Sequence, residues 1–432
     1  MEKLIITGGK KLGGEISVHG SKNAVLPIMA SALLIKGETV LHNVPNLSDV
    51  EASANILRRL GARVERKAST LIIDASSVTG NTIPEEMMRE MRSSIIFLGS
   101  LLSRCGEAWL CPPGGCDIGI RPIDLHISSL KKLGAQITEN GNCICCRAVK
   151  LRGAKVFLSF PSVGATENII LAAVCASGKT TVINAAREPE ICDLAAFLNS
   201  CGAKIYGAGE STIEIEGVEK LYPCTHRIIP DRIVAATYMC AGAMQADELV
   251  IKNIRASHLT PIIPVFGEAG CKIYLSGGNL KLVSPKRLKA VKKIKTMPYP
   301  GFPTDCQSVV MAAMAVARGT SVFNESVFDG RYKHISELKR FGADITAEGR
   351  IAVVNGVKEL YGANVFSTDL RGGAALVLAA LTAGGTSCIG NVYHIDRGYQ
   401  CIEKDLSKIG ALIKRISDEA VSYTHLTLPT IA

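Results

Sequence analysis

The chain has 432 residues, is 47% hydrophobic and 20% charged, and holds one Trp, which excludes a disordered or fibrous polymer and a stapled mini-protein. The length suits two or three domains. The net charge of +10 fits an anionic small molecule as well as nucleic acid.

Residues Met1 to Gly9 show no basic segment leading into an apolar one. No later run approaches the ~18 apolar residues of a membrane span. A cytoplasmic location without a membrane partner is therefore expected. The first clear element is an extended run, Thr39 to Asn43, followed by an amphipathic helix over Ser48 to Leu60. The phrase Leu60-Gly61-Ala62-Arg63-Val64 closes that helix: Gly supplies a left-handed cap and the β-branched residue starts the next strand.

The same phrase recurs around Gly134, Gly202, Gly270, Gly342 and Gly410, dividing the chain into six units of about seventy residues. Extended runs ending in Asn184, Asn253, Asn324 and Asn391 precede four of those glycines, as Asn43 precedes Gly61. Each unit reads as strand, helix and two strands with one further helix. None has enough core to stand alone. The segments Glu167 to Ala176 and Ala374 to Ala383 read as helices apolar on every side, hence buried. The expected architecture is α/β, with two domains of three units, helices inside and sheets outside. The cleft between them is the natural ligand site.

The second unit departs from this pattern. Its strand, Glu107 to Cys111, is followed by an inserted Pro112-Pro113-Gly114-Gly115-Cys116-Asp117-Ile118-Gly119-Ile120-Arg121-Pro122. A Gly-rich insertion in one copy of a repeat is a functional suspect, and a thiol near a cation can serve as nucleophile or proton donor. The other cysteines, of fifteen in all, read as reduced and mostly buried; Cys105, Cys111, Cys175, Cys240 and Cys306 are filler. Cys143, Cys145 and Cys146 lack a second pair at zinc-ligand spacing, so strand burial is expected and no metal. Gly178-Lys179-Thr180 ends like a P-loop, but Ala173 stands where the motif needs Gly. The densest basic stretch, Lys286 to Lys295, has no stacking aromatic; it reads as a solvated helix face or loop, and no nucleic-acid partner is expected.

Several segments together resemble the UDP-N-acetylglucosamine 1-carboxyvinyltransferase family. They are Ser21-Lys22-Asn23-Ala24, Pro113 to Cys116 with Arg121 to His126, Pro161 to Thr166, Tyr299 to Asp305, Thr368 to Arg371, and Tyr393 to Tyr399. The resemblance runs in order from about residue 1 to 418. It implies the enolpyruvyl transferase fold: two inside-out α/β barrel domains, each of three βαβαββ-type repeats. The domains would be residues 22–229 and 1–21 plus 230–418, with the chain crossing near residues 21 and 229. The implied reaction moves the enolpyruvyl group of phosphoenolpyruvate to the 3'-hydroxyl of UDP-N-acetylglucosamine and releases phosphate, the first committed step of bacterial peptidoglycan synthesis. It is C–O chemistry by addition and elimination, which asks for no cofactor.

By the same resemblance Lys22, Arg121 and Arg397 clamp phosphoenolpyruvate and Arg371 supports them, residue types that suit a phosphate and a carboxylate. Asp305 accepts the hydroxyl proton. Cys116 is the acid at C3, the nucleophile of a covalent adduct or a gate to product release, and is the residue fosfomycin alkylates. Further substrate contacts are implied for Asn23, Arg92, Pro122, Ile123, Asp124, Leu125, Ser162, Val163, Val327 and Asp369; Asp369 with Arg371 also reads as a structural pair. Phe328-Asp329-Gly330-Arg331 departs from the family's usual Phe-Glu-Asn-Arg, which bears on the packing near Val327. The tail from Val421 to Ala432 shares nothing with the repeat and is expected to be non-native or disordered. Two rivals are 5-enolpyruvylshikimate-3-phosphate synthase, which lacks the Cys loop and the Ser-Val-Gly-Ala-Thr segment, and a catalytically silent sugar-nucleotide-binding paralogue. The silent form would be expected to lose Cys116, Lys22, Asp305 or Arg397, and all four are present.

Overall fold

The repeat phrase acts through its backbone. All six repeat glycines have positive φ, from 88° at Gly342 to 102° at Gly61 and Gly410, so each ends a helix where a side chain would be strained. Four of the strand-ending asparagines, Asn43, Asn184, Asn253 and Asn391, are also left-handed, with φ between 54° and 60°; Asn tolerates that region better than most residues. Between these turns the strands alternate. In Glu38–His42, Thr39 and Leu41 point inward, and in Thr70–Asp74, Leu71 and Ile73 do so.

A computed structural model describes residues 2–111, 122–140 and 143–417. Six four-stranded sheets are built to one plan: a short edge strand parallel to a longer one, then two antiparallel strands. In the third unit Lys155–Phe157 lies parallel to Lys179–Ile183, which pairs antiparallel with Thr212–Glu216, itself antiparallel to Lys204–Tyr206. The N-terminal strand Glu2–Thr7 completes the last unit, between Thr386–Gly390 and Leu412–Ser417.

At two places the edge strands are exchanged. Glu15–Ser17 precedes the helix of the first unit yet pairs with Glu248–Lys252, and Thr225–Arg227 precedes the helix of the fourth unit yet pairs with Glu38–His42. Each edge strand stays with the half from which the chain arrives. The two connecting segments meet: Gly20 bridges Pro230, Ser21 N donates to Ile229 O at 2.7 Å and Asp231 N to His19 O at 2.9 Å. One hydrophobic core draws on Ala24 to Ile229, the other on Leu4 to Val18 and Ile233 to Ile413.

The cores are helical. Arg232–Gln245, Gln307–Met314 and Leu370–Thr382 pack on one another in the second half; in the first, Phe97–Cys105 packs on both Val163–Ala173 and Lys22–Ser31. Two of these helices start earlier than their apolar runs suggested. Ser162 caps Val163–Ala173 by accepting from Ala165 N, and Asp369 caps Leu370–Thr382 by accepting from Arg371 N and Gly372 N. The polar first turn belongs to the helix because the cap satisfies its free N–H groups. The basic stretch is not a helix: it runs irregularly, burying Leu288, Val291 and Ile294, into the strand Lys293–Lys295. Cys145 and Cys146 are buried in the strand Cys143–Arg147, whereas Cys105 is exposed rather than filling a core. Among the described residues no helix is long and apolar enough to cross a membrane, and no group of His, Cys, Asp and Glu could hold a metal ion.

Candidate active site

A cavity of about 540 Å³ lies between the two halves. Asn23, Arg92, Pro122, Asp124, Leu125, Ser162 and Val163 line it from the first half, and Asp305 and Val327 from the second. Ile123 instead packs against the first core. Cys116, Arg121 and the tail 421–432 lie outside the described residues.

Local structure aims these side chains. Lys22 opens the helix Lys22–Ser31, whose first turn is fixed from the other half because Lys22 N donates to Asp231 Oδ2 at 3.2 Å. Ser162, Val163 and Gly164 bring the N-terminus of an eleven-residue helix to the cavity wall, where its free N–H groups favour negative charge. His126, also on the wall, is held by Asn168 Nδ2 at 2.7 Å from its Nδ1. Asn168 Nδ2 also donates to Ile95 O at 2.9 Å.

Two charge clusters adjoin the cavity. In the first, Asp49 sits between Lys22 and Arg397: its Oδ2 is 2.5 Å from Lys22 Nζ, and its Oδ1 accepts from Arg397 Nε at 2.9 Å. Burial lowers the Lys22 pKa and Arg397 adds to this, and the opposing attraction of Asp49 does not fully restore it. Burial would raise the pKa of Asp49, but Lys22 and Arg397 outweigh it and hold the carboxyl below its ordinary value. In the second cluster Asp305 accepts from Arg331 Nη2 at 3.2 Å through Oδ1 and from Arg371 Nη2 at 3.3 Å through Oδ2. Here too burial opposes ionisation, yet Arg371, Arg331 and Lys22 keep the carboxyl far below the usual carboxylate range.

Asp369 and Arg371 are joined through the backbone. The Asp369 carboxylate accepts from Arg371 N at 3.0 Å, while its nearest guanidinium is that of Arg331, at 3.8 Å. The guanidinium of Arg371 lies 5.5 Å from the Tyr399 ring. Taken together, Lys22, Arg331, Arg371 and Arg397 face the carboxylates of Asp49, Asp305 and Asp369, with Asp231 beside them at Lys22 N, so the cations are held by carboxylates with which an anion would compete.

Sequence reasoning missed Asp49, Arg331, Glu190 and Arg232. Arg232 Nε donates to Glu190 Oε1 at 3.0 Å, both side chains buried where the halves meet, and the guanidinium lies 5.5 Å from the Tyr299 ring. A signal for Asp49 was available: it lies four and seven residues before Ser53 and Ile56, on the buried face of its helix. The Asp329-Gly330 departure is peripheral. Asp329 pairs with Arg350 at the surface, while Val327 N and Phe328 N donate to the buried Glu325 at 2.9 and 3.1 Å.

Residues 6–406 match the EPSP synthase (3-phosphoshikimate 1-carboxyvinyltransferase) family. UDP-N-acetylglucosamine 1-carboxyvinyltransferase 2 of Caldanaerobacter subterraneus subsp. tengcongensis is 50% identical, covering 96% of this chain and 100% of its own. The UDP-N-acetylglucosamine 1-carboxyvinyltransferase of Trichlorobacter lovleyi is 47% identical, covering 97% and 100%. Among solved structures, the enolpyruvyl transferase NikO from Streptomyces tendae matches with a TM-score of 0.87 at 25% identity, over 96% of this chain and 98% of its own. EPSP synthase from Acinetobacter baumannii matches with a TM-score of 0.75 at 19% identity, over 96% and 100%, a likeness of fold alone.

Proposed function

The chain belongs to the UDP-N-acetylglucosamine 1-carboxyvinyltransferases, within the EPSP synthase family, and from that premise we propose that it transfers the enolpyruvyl group of phosphoenolpyruvate to the 3'-hydroxyl of UDP-N-acetylglucosamine, releasing phosphate. The observation that carries the reading is Asp305: it lines the cavity between the halves while two buried arginines grip its carboxylate. The sugar nucleotide occupies the cavity. Asn23, Arg92, Pro122, Asp124, Leu125, Ser162, Val163 and Val327 contact it, and its diphosphate faces the N-terminus of the helix Val163–Ala173.

Phosphoenolpyruvate docks between the two charge clusters, on Lys22, Arg397 and Arg371, with Arg121 completing the clamp. The 3'-hydroxyl oxygen adds to C2 as a proton reaches C3. Loss of a C3 proton then expels phosphate and regenerates the double bond. Asp305 accepts the hydroxyl proton. A carboxylate so strongly acidified is a weak base in the free protein. When the substrate's anionic groups share Arg371, the field on Asp305 weakens and its basicity rises, so the base is switched on by binding. Cys116 acts as acid, nucleophile or release gate.

Residues 22–229 and 1–21 plus 230–418 act as two domains, hinged at the paired segments around Gly20 and Pro230. The substrates neutralise the facing cations and draw the domains together. The activity is cytoplasmic and supplies peptidoglycan synthesis; its partners are the two small-molecule substrates. Phosphate release from phosphoenolpyruvate with UDP-N-acetylglucosamine, and separately with shikimate 3-phosphate, before and after fosfomycin, tests this reading. Release with the sugar nucleotide alone, abolished by the drug, is expected. Release with shikimate 3-phosphate would assign the acceptor to the sister enzyme, and release with neither would make the chain a silent paralogue.

A further inference from the structure

Cys201 caps the C-terminal end of the helix Pro189–Ser200, and Cys224 directly precedes the strand Thr225–Arg227. Tyr222 N donates to Cys201 O at 2.8 Å and Val40 N to Cys224 O at 3.2 Å, so backbone bonds hold both segments in place. The two Sγ atoms are 3.1 Å apart, in hydrogen-bond contact, and need approach by only about 1 Å to bond. Neither residue lines the cavity. We propose that Cys201 and Cys224 form a dithiol that a low-molecular-weight disulfide converts reversibly into an intramolecular disulfide.

The two thiols are unlike. Cys201 is buried and Cys224 half-buried, so a small disulfide reaches Cys224 first. The hydrogen bond with Cys201 lowers the Cys224 pKa against the effect of burial, and His226 assists; Cys201 is pushed up by Cys224 and by burial. Cys224 is thus the attacking thiolate. Its sulfur displaces one glutathione thiolate from oxidised glutathione, leaving a mixed disulfide on Cys224. Cys201 then gives up its proton, attacks the Cys224 sulfur and expels the second glutathione. One oxidised glutathione becomes two reduced ones, and the protein loses two hydrogen atoms.

The helix joined by this bond also holds the second connection between the halves. Its Glu190 pairs with Arg232, and Asp193 accepts from Ile229 N at 3.2 Å and lies 3.1 Å from His226 Nε2. The other close thiol pair, Cys111 and Cys143 at 2.7 Å, is a natural comparison, because burial and Cys143 push the Cys111 thiol up to about 11.

The full chain is equilibrated with oxidised glutathione, quenched with acid and digested with trypsin, which releases Glu188–Lys204 and Leu221–Arg227. The expected product is these two peptides joined through Cys201 and Cys224, reversed by dithiothreitol. The oxidised protein should also unfold at higher urea than the reduced one, because the link restricts the unfolded chain. In Cys201→Ser, Cys224 should retain glutathione and form no link; in Cys224→Ser, Cys201 should stay unmodified. An unlinked Cys224 in the wild-type chain, a link to Cys192, or a Cys111 to Cys143 link that forms first would overturn the proposal.

Discussion

Replacing Asp49 by Asn removes a carboxylate that both Lys22 and Arg397 contact, with little change in shape. At 2.5 Å from Lys22 Nζ, its attraction amounts to about 7 kcal/mol at an effective dielectric of about 20. The loss is limited, because Lys22 can shed its proton instead. From a reference pKa of 10.5, neutralising it costs about 5 kcal/mol at pH 7 and about 2 kcal/mol at pH 9. A destabilisation of about 3 to 5 kcal/mol is therefore expected at pH 7, the range found when buried pairs are broken. A lysine whose folded pKa lies below its unfolded value binds fewer protons folded than unfolded, so stability rises with pH between the two values. The deficit of Asp49→Asn should accordingly shrink to about 2 kcal/mol at pH 9 and widen below neutrality. Urea unfolding at pH 6, 7 and 9, with the KM for phosphoenolpyruvate measured alongside, reads both effects; KM should rise as Lys22 loses its charge. A variant within about 0.5 kcal/mol of wild type at all three pH values would refute the charge-balancing role of Asp49.

Asp305→Asn should lower kcat by about 100- to 10,000-fold while the chain still binds UDP-N-acetylglucosamine by calorimetry; unchanged kcat would remove Asp305 as the base. Because Asp305 is held well below the usual range in the free protein, the acid limb of the wild-type kcat/KM profile above pH 5 should belong to another group, and an Asp305→Glu variant should leave that limb in place. Arg331→Lys keeps the charge but loses the planar guanidinium whose Nη2 donates to both Asp305 and Thr304 O while Nη1 faces Asp369, so kcat should fall about tenfold or more with KM for the sugar nucleotide little changed. Glu190→Gln leaves the buried Arg232 without its ion pair and should cost about 3 kcal/mol, read as a lower urea midpoint at constant m.

The repeat was legible because it is enforced locally. A Gly at positive φ after each helix and an alternating strand before it are properties of a few consecutive residues, so Gly61 and its five counterparts give the number of units and their order. The buried helices were legible for the same reason, as apolar runs, although their first turns were not: Ser162 and Asp369 look like loop residues until their caps are seen. The candidate residues Lys22, Asn23, Ser162, Asp305, Arg371 and Arg397 came from motifs, which name residues without saying what each touches.

The tertiary structure decided the contacts between distant segments. The exchange of Glu15–Ser17 and Thr225–Arg227 between the halves depends on pairing across 235 and 185 residues, which no local pattern encodes. Asp49 and Arg397, or Asp305 and Arg371, meet only when separate units pack. Their charge states follow from that packing, because burial and a facing ion, acting over a few ångströms, set a pKa that sequence distance does not measure.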